Sequence, residues 1–197
     1  MSLSPEFKPL VDFALGAGAC RAAMLPAAEV VIDGSLADRC RAPRCPNYGL
    51  SINCPPHVSG PLALQKELET FHQALFFVID VPAGMLFSGQ RVKAFEHLQK
   101  TAAAIERQAV QAGFTRARAY AGGSCREIFC HAHDDCPPLL QKGACRYPEH
   151  ARPSMSGYGI DVARLFETAG WTMRMARPAP EPGETQMADI CGLVLVD

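Results

Sequence analysis

The sequence lacks the features that mark several large classes of protein. Its 197 residues have a formal net charge of −1, so it has no excess of basic charge to bind nucleic acid. The longest wholly apolar run is Ala74–Ile79, far short of the ~20 residues that span a bilayer. The opening MSLSPEFKPL has no basic stretch followed by an apolar one, the pattern of a secretory signal. We therefore expect a cytoplasmic protein that binds neither nucleic acid nor membrane.

Motifs of several common enzyme classes are also missing. The chain contains no G-x-S-x-G nucleophile turn and no Walker A loop. Gly16-Ala-Gly18 lacks the third glycine and the preceding strand of a dinucleotide-binding loop. The sequence therefore indicates no particular reaction.

What the chain does contain is clustered cysteine. Of its nine cysteines, three lie between residues 40 and 54, four between 125 and 145, and two elsewhere. A chain of this length buries roughly 70% of its unfolded surface and does not need disulfides in order to fold. Thiols stay reduced in the cytoplasm, so clustered cysteines there indicate metal ligands or catalytic groups. Group one is Cys40, Cys45 and Cys54, and group two is Cys125, Cys130, Cys136 and Cys145.

The spacing within the two groups favours iron–sulfur over zinc. Group one reads C-x4-C-x8-C and group two reads C-x4-C-x5-C-x8-C, with no C-x2-C anywhere. Zinc sites usually pair two ligands in a short knuckle and then repeat the pair. Proline follows Cys45, Cys54 and Cys136 directly, as it follows a cluster cysteine in bacterial ferredoxin loops. A zinc site in group two, all-cysteine or with His131 or His133, is the alternative.

The number of thiols differs between the groups. Four thiols can hold a complete [4Fe-4S] cluster, so group two is sufficient and group one is one ligand short. Cys20 or His57 could supply that ligand, or the position could stay open to solvent or substrate. Cys20 has small neighbours and Cys191 lies in the apolar run Ile190–Val196, so both are expected to pack rather than to bind metal. We expect one or two clusters.

Helical and extended patterns alternate along the chain and predict one domain over residues 1–197. Strands are expected at 21–25, 74–81, 114–121, 171–175 and 190–196, with helices at 5–15, from Pro61, from an N-cap at Ser88 to Gly113, and after a cap at Asp161. The proline-containing segment 176–186 is expected to be a surface connection. We predict an α/β fold, in the form of an α+β sandwich with a single sheet, flanking helices and two cysteine-rich metal-binding loops.

A polar loop after group two is a candidate binding element. Arg152, Ser154 and Tyr158 precede the helix that Asp161 caps, and a helix N-terminus favours an anion. These three residues are therefore candidates for binding a cofactor or anion. The alternative is that Ser154 and Tyr158 only tie the loop to group two.

Two stretches resemble a known family: Cys45-Pro-Asn-Tyr-Gly with Cys54-Pro-Pro, and Cys145-Arg-Tyr-Pro through Arg152-Pro-Ser-Met to Gly159-Ile-Asp-Val. They are similar to an uncharacterised prokaryotic family of cysteine-rich predicted metal-binding proteins, over residues 15–170. The resemblance implies metal or iron–sulfur binding through the seven cysteines of the two groups. It supplies no reaction or substrate. This chain departs from the pattern in the wider spacing of group two, where the family tends to have C-x2-C.

Together these patterns lead us to expect an iron–sulfur protein, most simply a [4Fe-4S] carrier that exchanges electrons with a redox partner protein. Two alternatives follow from the same cysteines. One is a zinc-stabilised binding module, and the other is an enzyme that uses an open iron on the three-cysteine group for redox or Lewis-acid chemistry. The sequence favours a non-enzyme because no catalytic motif accompanies the cysteines.

Overall fold

The computed structural model describes residues 4–41, 43–177 and 186–197. Within these ranges lie seven α-helices, four strands and three short 3-10 helices, and no described helix is long and apolar enough to cross a membrane. The helices are α1 (Lys8–Gly16), α2 (Gly34–Asp38), α3 (Pro61–Leu68), α4 (Ala83–Leu86), α5 (Arg91–Gln111), α6 (Cys125–Phe129) and α7 (Val162–Thr168). The strands are β1 (Arg21–Pro26), β2 (Gln73–Pro82), β3 (Ala117–Ala121) and β4 (Met187–Val196). The 3-10 helices are Ala27–Glu29, Pro137–Leu140 and Ser156–Tyr158.

The strands form one antiparallel sheet in the order β1-β2-β4-β3. The two central strands, β2 and β4, pair along their whole length, from Gln73 opposite Val196 to Pro82 opposite Met187. A single sheet with flanking helices confirms the predicted α+β fold. The predicted strands at 21–25, 74–81 and 190–196 are also confirmed, each within three residues of its observed limits.

Helices cover both faces of this sheet. On β2, Leu75, Phe77 and Ile79 face one core cluster with α1 and α5, whereas Phe76 and Val78 face a second with α3 and α7. Successive side chains of a strand point to opposite faces, so a strand covered on both sides must be apolar at every position. This is why the central strand reads as an unbroken apolar run.

Two elements differ from the sequence prediction. The predicted strand at 171–175 is wrong, because Trp171 stacks on Phe76 with ring centroids 5.5 Å apart and the segment covers a face of the sheet instead of extending it. The predicted N-cap at Ser88 is also displaced, since α5 begins at Arg91 and the Ser88 hydroxyl instead accepts a bond from the Gln90 N–H. Most of the predicted connection at 176–186 lies outside the described residues.

The segment between group two and α7 folds back onto the end of β3. Ser154 forms a parallel bridge with Ala121, and Ile160 forms an antiparallel bridge with Ile32. Gly159 has φ +70°, and a side chain there would collide with the Asp33 carbonyl. The bridge to Ala121 and the close approach to Asp33 hold this segment against the rest of the fold. Ser154 therefore lies beside the end of β3, from which group two follows.

Asp161 caps α7 as predicted, and its removal should be measurable. Its carboxylate accepts a bond from the Arg164 N–H at 3.2 Å. We expect Asp161→Ala to lower the free energy of unfolding by about 1 kcal/mol, because one helical N–H loses its partner. Thermal denaturation should show a fall in Tm of about 2–4 °C. In the control Asp12→Ala, which removes only an exposed ion pair with Lys8, Tm should barely move; equal falls would contradict the capping role.

Candidate metal centres

The four cysteines of group two line a single narrow cavity, the group-two cavity. Cys125 begins α6 and Cys130 follows its last residue, whereas Cys136 and Cys145 flank the loop that contains the second 3-10 helix. Leu50, Ile52, Phe129, Tyr147 and Ala151 supply most of the remaining wall, which is largely apolar. The open space is about 10 Å³, room for about one water molecule. The chain thus gathers all four thiols of group two around one small, largely apolar space.

A turn of two glycines positions the start of group two at this cavity. β3 ends at Ala121, and Gly122 and Gly123 turn the chain into α6. Gly123 has φ +81°, and a Cβ there would lie 2.9 Å from the Phe95 ring on α5. Since real Cβ atoms do not approach that closely, only glycine lets α6 start against α5 and point Cys125 inward.

The three cysteines of group one line a second, roomier cavity, the group-one cavity. Its volume is about 180 Å³, and its wall has both polar and apolar surface. The polar residues that line it beside the thiols are Asn47, Tyr48, Arg91, Ser124, Glu127, Ser154 and Ser156. Neither residue considered as a fourth ligand lines it. His57 is exposed beside the Gly49 carbonyl, and the Cys20 thiol bonds to the Asp80 carboxylate at the far end of β2.

Hydrogen bonds cross between the two groups. The Ser51 hydroxyl from the group-one loop lies 2.9 Å from the Cys125 sulfur, and the Asn53 amide donates to the same sulfur at 3.6 Å. In the other direction, the Ser124 hydroxyl lies 3.2 Å from the Cys54 sulfur. We call these three contacts the crossed hydrogen bonds. Each group therefore helps to position a thiol of the other, and the two cavities are neighbours.

Burial governs the charge state of the two thiols in the crossed hydrogen bonds, Cys54 and Cys125. Burial raises the pKa of Cys54 to about 12 and also raises the pKa of Cys125, although the neighbouring hydroxyls counteract part of this shift. Cys54 and Cys125 are thus protonated near neutral pH. Ligating thiols must be deprotonated, so metal binding here has to release protons.

A comparison with known families bears on what the seven cysteines are for. The family model DUF2284, described as predicted metal-binding protein, matches residues 23–196. The chain belongs to the DUF2284 family. The match confirms the resemblance to a cysteine-rich predicted metal-binding family and covers both cysteine groups, whereas Cys20 lies outside it. Searches of curated proteins and of solved structures found no match.

The donor chemistry of the DUF2284 protein fits a thiolate-bound metal. Soft thiolates select zinc, copper(I) and iron–sulfur clusters. In the described residues, no three His, Cys, Asp or Glu side chains lie close enough together to hold one ion. The space between the group-two thiols is about 10 Å³. Sites of this kind form together with their metal. The residues that would hold it are the seven cysteines.

The other histidines and cysteines considered for this DUF2284 protein do not line the cavities. His131 and His133, considered as zinc ligands, do not line the group-two cavity. Cys191 on β4 is buried in the core cluster that packs against α3 and α7, as expected. The expectation that Cys20 packs in the core is wrong, because its thiol turns outward to Asp80 and the residue is exposed.

The three candidate cofactor-binding residues do not come together. Arg152 turns to α5, where its Nε donates to Glu106 at 2.7 Å. Tyr158 is buried under the sheet, and its hydroxyl accepts a bond from Arg118 at 3.0 Å. Only Ser154 lines a cysteine cavity, and that is the group-one cavity.

Sequence reasoning missed several residues that border the two cavities. Glu127 on α6 accepts from the Asn47 amide at 3.2 Å and pairs with Arg91, so it connects the group-one loop to the helix of group two. Ser124 and Asn53 each directly precede a cysteine, which was an available signal. That Ser51 and Asn53 bond to a cysteine of the other group required the fold.

Proposed function

We propose that this DUF2284 protein holds a [4Fe-4S] cluster on group two and a second cluster on group one, and that it exchanges electrons with a redox partner protein. The observation that carries the proposal is the convergence of Cys125, Cys130, Cys136 and Cys145 on one cavity. Four thiolates are the full ligand set of such a cluster, which supplies one-electron redox chemistry when bound.

The surroundings of group two suit an electron carrier. Its largely apolar wall keeps water away, and burial is one of the factors that set the potential of a cluster. The hydroxyl of Ser51 and the amide of Asn53 both reach the Cys125 sulfur, and hydrogen bonds to sulfur are a second such factor. These side chains would shift the reduction potential of the cluster without being its ligands.

Group two also lies near the surface. Cys130, Cys136 and Cys145 are only half-buried. Leu50 and Ile52 line the cavity with 46% and 37% of their surface exposed, and Leu140, in the loop between Cys136 and Cys145, is 49% exposed. Exposed apolar side chains beside a site mark surfaces where partners bind. This rim supports contact with a redox partner at group two.

Metal and sulfide analysis tests the proposal. We expect anaerobically reconstituted protein to be brown, to contain iron and acid-labile sulfide in equal amounts, and to give an EPR signal after reduction. Colourless protein with stoichiometric zinc and no sulfide would contradict the proposal and would support a zinc-stabilised binding module instead.

A pair of matched variants locates the ligands. Cys136→Ser should lose the iron and sulfide of group two, because Cys136 lines the cavity. Cys191→Ser, the same exchange at a buried thiol in the core, should keep full metal content. Equal loss in the two variants would show that the assignment of ligands is wrong.

A further inference from the structure

The most buried thiol of each cysteine group is the one that contacts the other group. Cys54 is the buried cysteine of group one, with 5% of its surface exposed, and Cys125 is the buried cysteine of group two, with 6% exposed. The other five cysteines of the two groups are only half-buried. The two centres therefore adjoin each other inside the protein, whereas their remaining ligands lie closer to the surface.

A single serine connects these two thiols. The Ser124 hydroxyl lies 3.2 Å from the Cys54 sulfur, and the next residue in the chain after Ser124 is Cys125. From one sulfur to the other, this path crosses a hydrogen bond and then only the covalent bonds of two successive residues. Ser124 is buried, so the hydrogen bond lies in a low-dielectric interior, where hydrogen bonds are stronger than in water.

A second path joins the same two thiols from the other side. The Asn53 amide donates to the Cys125 sulfur at 3.6 Å, and the next residue after Asn53 is Cys54. The Ser51 hydroxyl lies 2.9 Å from the Cys125 sulfur, and the Ser51 carbonyl accepts a bond from the Cys54 N–H at 3.1 Å. Each path begins at a sulfur of one group and ends at a sulfur of the other.

These paths matter because the sulfurs they join are the candidate ligands of the two centres. Hydrogen bonds to the ligand sulfurs are among the factors that set the potential of a bound cluster. A side chain that bonds to a sulfur of one group and is covalently next to a cysteine of the other therefore acts on both centres. An electron that reaches either group has a continuous, buried route to the other.

We propose that electrons pass directly between the two centres, along the path from Cys125 through Ser124 to Cys54 and along the Asn53 path beside it. In each transfer one centre is oxidised and the other is reduced by the same electron, which the redox partner protein supplies. The inference rests on the proposed function, because it needs a cluster on each group. It deepens that function by making the two clusters a relay, with Ser124 and Asn53 as its positioning residues.

EPR spectroscopy of the reconstituted full chain tests whether the centres adjoin each other. Unpaired electrons on neighbouring centres broaden and split each other's signals, so we expect a split spectrum in fully reduced protein. Protein that has taken up less than one electron per chain should give unsplit signals. Cys40→Ser removes a thiol of group one that forms none of the crossed hydrogen bonds. This variant should lose the splitting and keep the iron and sulfide of group two.

The rate of transfer tests the path itself. After reduction by a photoexcited flavin and rapid freezing, the EPR spectrum shows how fast the electron redistributes between the two signals. We expect Ser124→Ala to slow this redistribution severalfold, because the path loses its hydrogen bond to Cys54. Ser154→Ala is the matched control, since Ser154 is a buried serine that lines the group-one cavity and takes no part in the crossed hydrogen bonds. An unchanged rate in Ser124→Ala, or equal slowing in the two variants, overturns the path.

The outcomes separate this inference from the proposed function. Full iron and sulfide content in the wild type, with a fully reduced spectrum that is the sum of two independent signals, overturns the relay and leaves the electron carrier standing. Zinc without sulfide contradicts the proposed function itself, and the relay is then refuted with it. Splitting that persists in Cys40→Ser without the group-one iron comes from contacts between chains, and it overturns the relay as well.

Discussion

Cys125→Ser should reduce metal content at both centres, although it removes a ligand from only one. Cys125 lines the group-two cavity and forms two of the three crossed hydrogen bonds, with Ser51 and Asn53 of the group-one loop. Losing the group-two metal frees the start of α6, where Ser124 bonds to Cys54. We expect the iron content to fall by more than the amount that group two would hold, with the additional loss coming from group one.

The same variant should lose stability. When a site forms with its metal, binding energy is folding energy. A ligand at about 1,000 times its Kd stabilises the native state by about 4.1 kcal/mol, and we expect a loss of that order in the reconstituted protein. Cys20→Ser is the matched control, because that thiol lines neither cavity. Full metal content in Cys125→Ser, or an equal loss in Cys20→Ser, would refute the arrangement.

The Asp189→Ala variant should unfold more readily than the wild type, and its metal binding should be unchanged. The Asp189 side chain has no exposed surface and lies between two arginines. Its carboxylate lies 2.8 Å from Arg21 Nη2 and 2.6 Å from Arg174 Nη2, and it also accepts from the Arg174 N–H at 2.8 Å. Removing one partner of a buried ion pair costs about 3–5 kcal/mol. We expect a cost at the lower end of this range, because Arg21 loses its carboxylate whereas Arg174 keeps its ion pair with Asp80.

Urea denaturation measures this cost. Since native proteins are stable by about 5–15 kcal/mol, we expect a large shift of the unfolding midpoint. Glu167→Ala removes an exposed carboxylate paired with Arg164 and should change the free energy of unfolding by at most about 0.5 kcal/mol. Metal content should match the wild type in both variants, because neither residue lines a cysteine cavity. A cost for Asp189→Ala below about 1 kcal/mol would show that the carboxylate is not essential to the sheet.

Most helices and strands could be predicted from the sequence wherever a local pattern is typical of a single kind of structure. The apolar run Ala74–Ile79, closed by Pro82, is typical of a strand, and Asp161 before an amphipathic stretch marks a helix start. Trp171–Met175 was misjudged because an apolar segment that packs onto a sheet has the same pattern as a strand that joins it. The difference lies in the stacking of Trp171 on Phe76, a contact between residues far apart in the chain.

The candidate site could likewise be predicted only in part from the sequence. Clustering and spacing separated the seven cysteines from Cys20 and Cys191, and the family match confirms the metal-binding family. Which metal they hold stays a prediction. The partners of Arg152, Tyr158 and Ser154 could not be read from their loop, because Glu106 and Arg118 come from distant elements. Sequence places residues on a loop, but only the fold decides which way they turn.

The crossed hydrogen bonds have a consequence for how this protein can change over evolutionary time. Ser51 and Asn53 lie in one cysteine loop but serve a thiol of the other, and Ser124 does the reverse. A lineage that discarded one cysteine group would leave Ser51 or Ser124, both buried, without its thiol partner, which is costly. The two groups should therefore be kept or lost together, with Ser51, Asn53 and Ser124 inherited alongside the cysteines they touch.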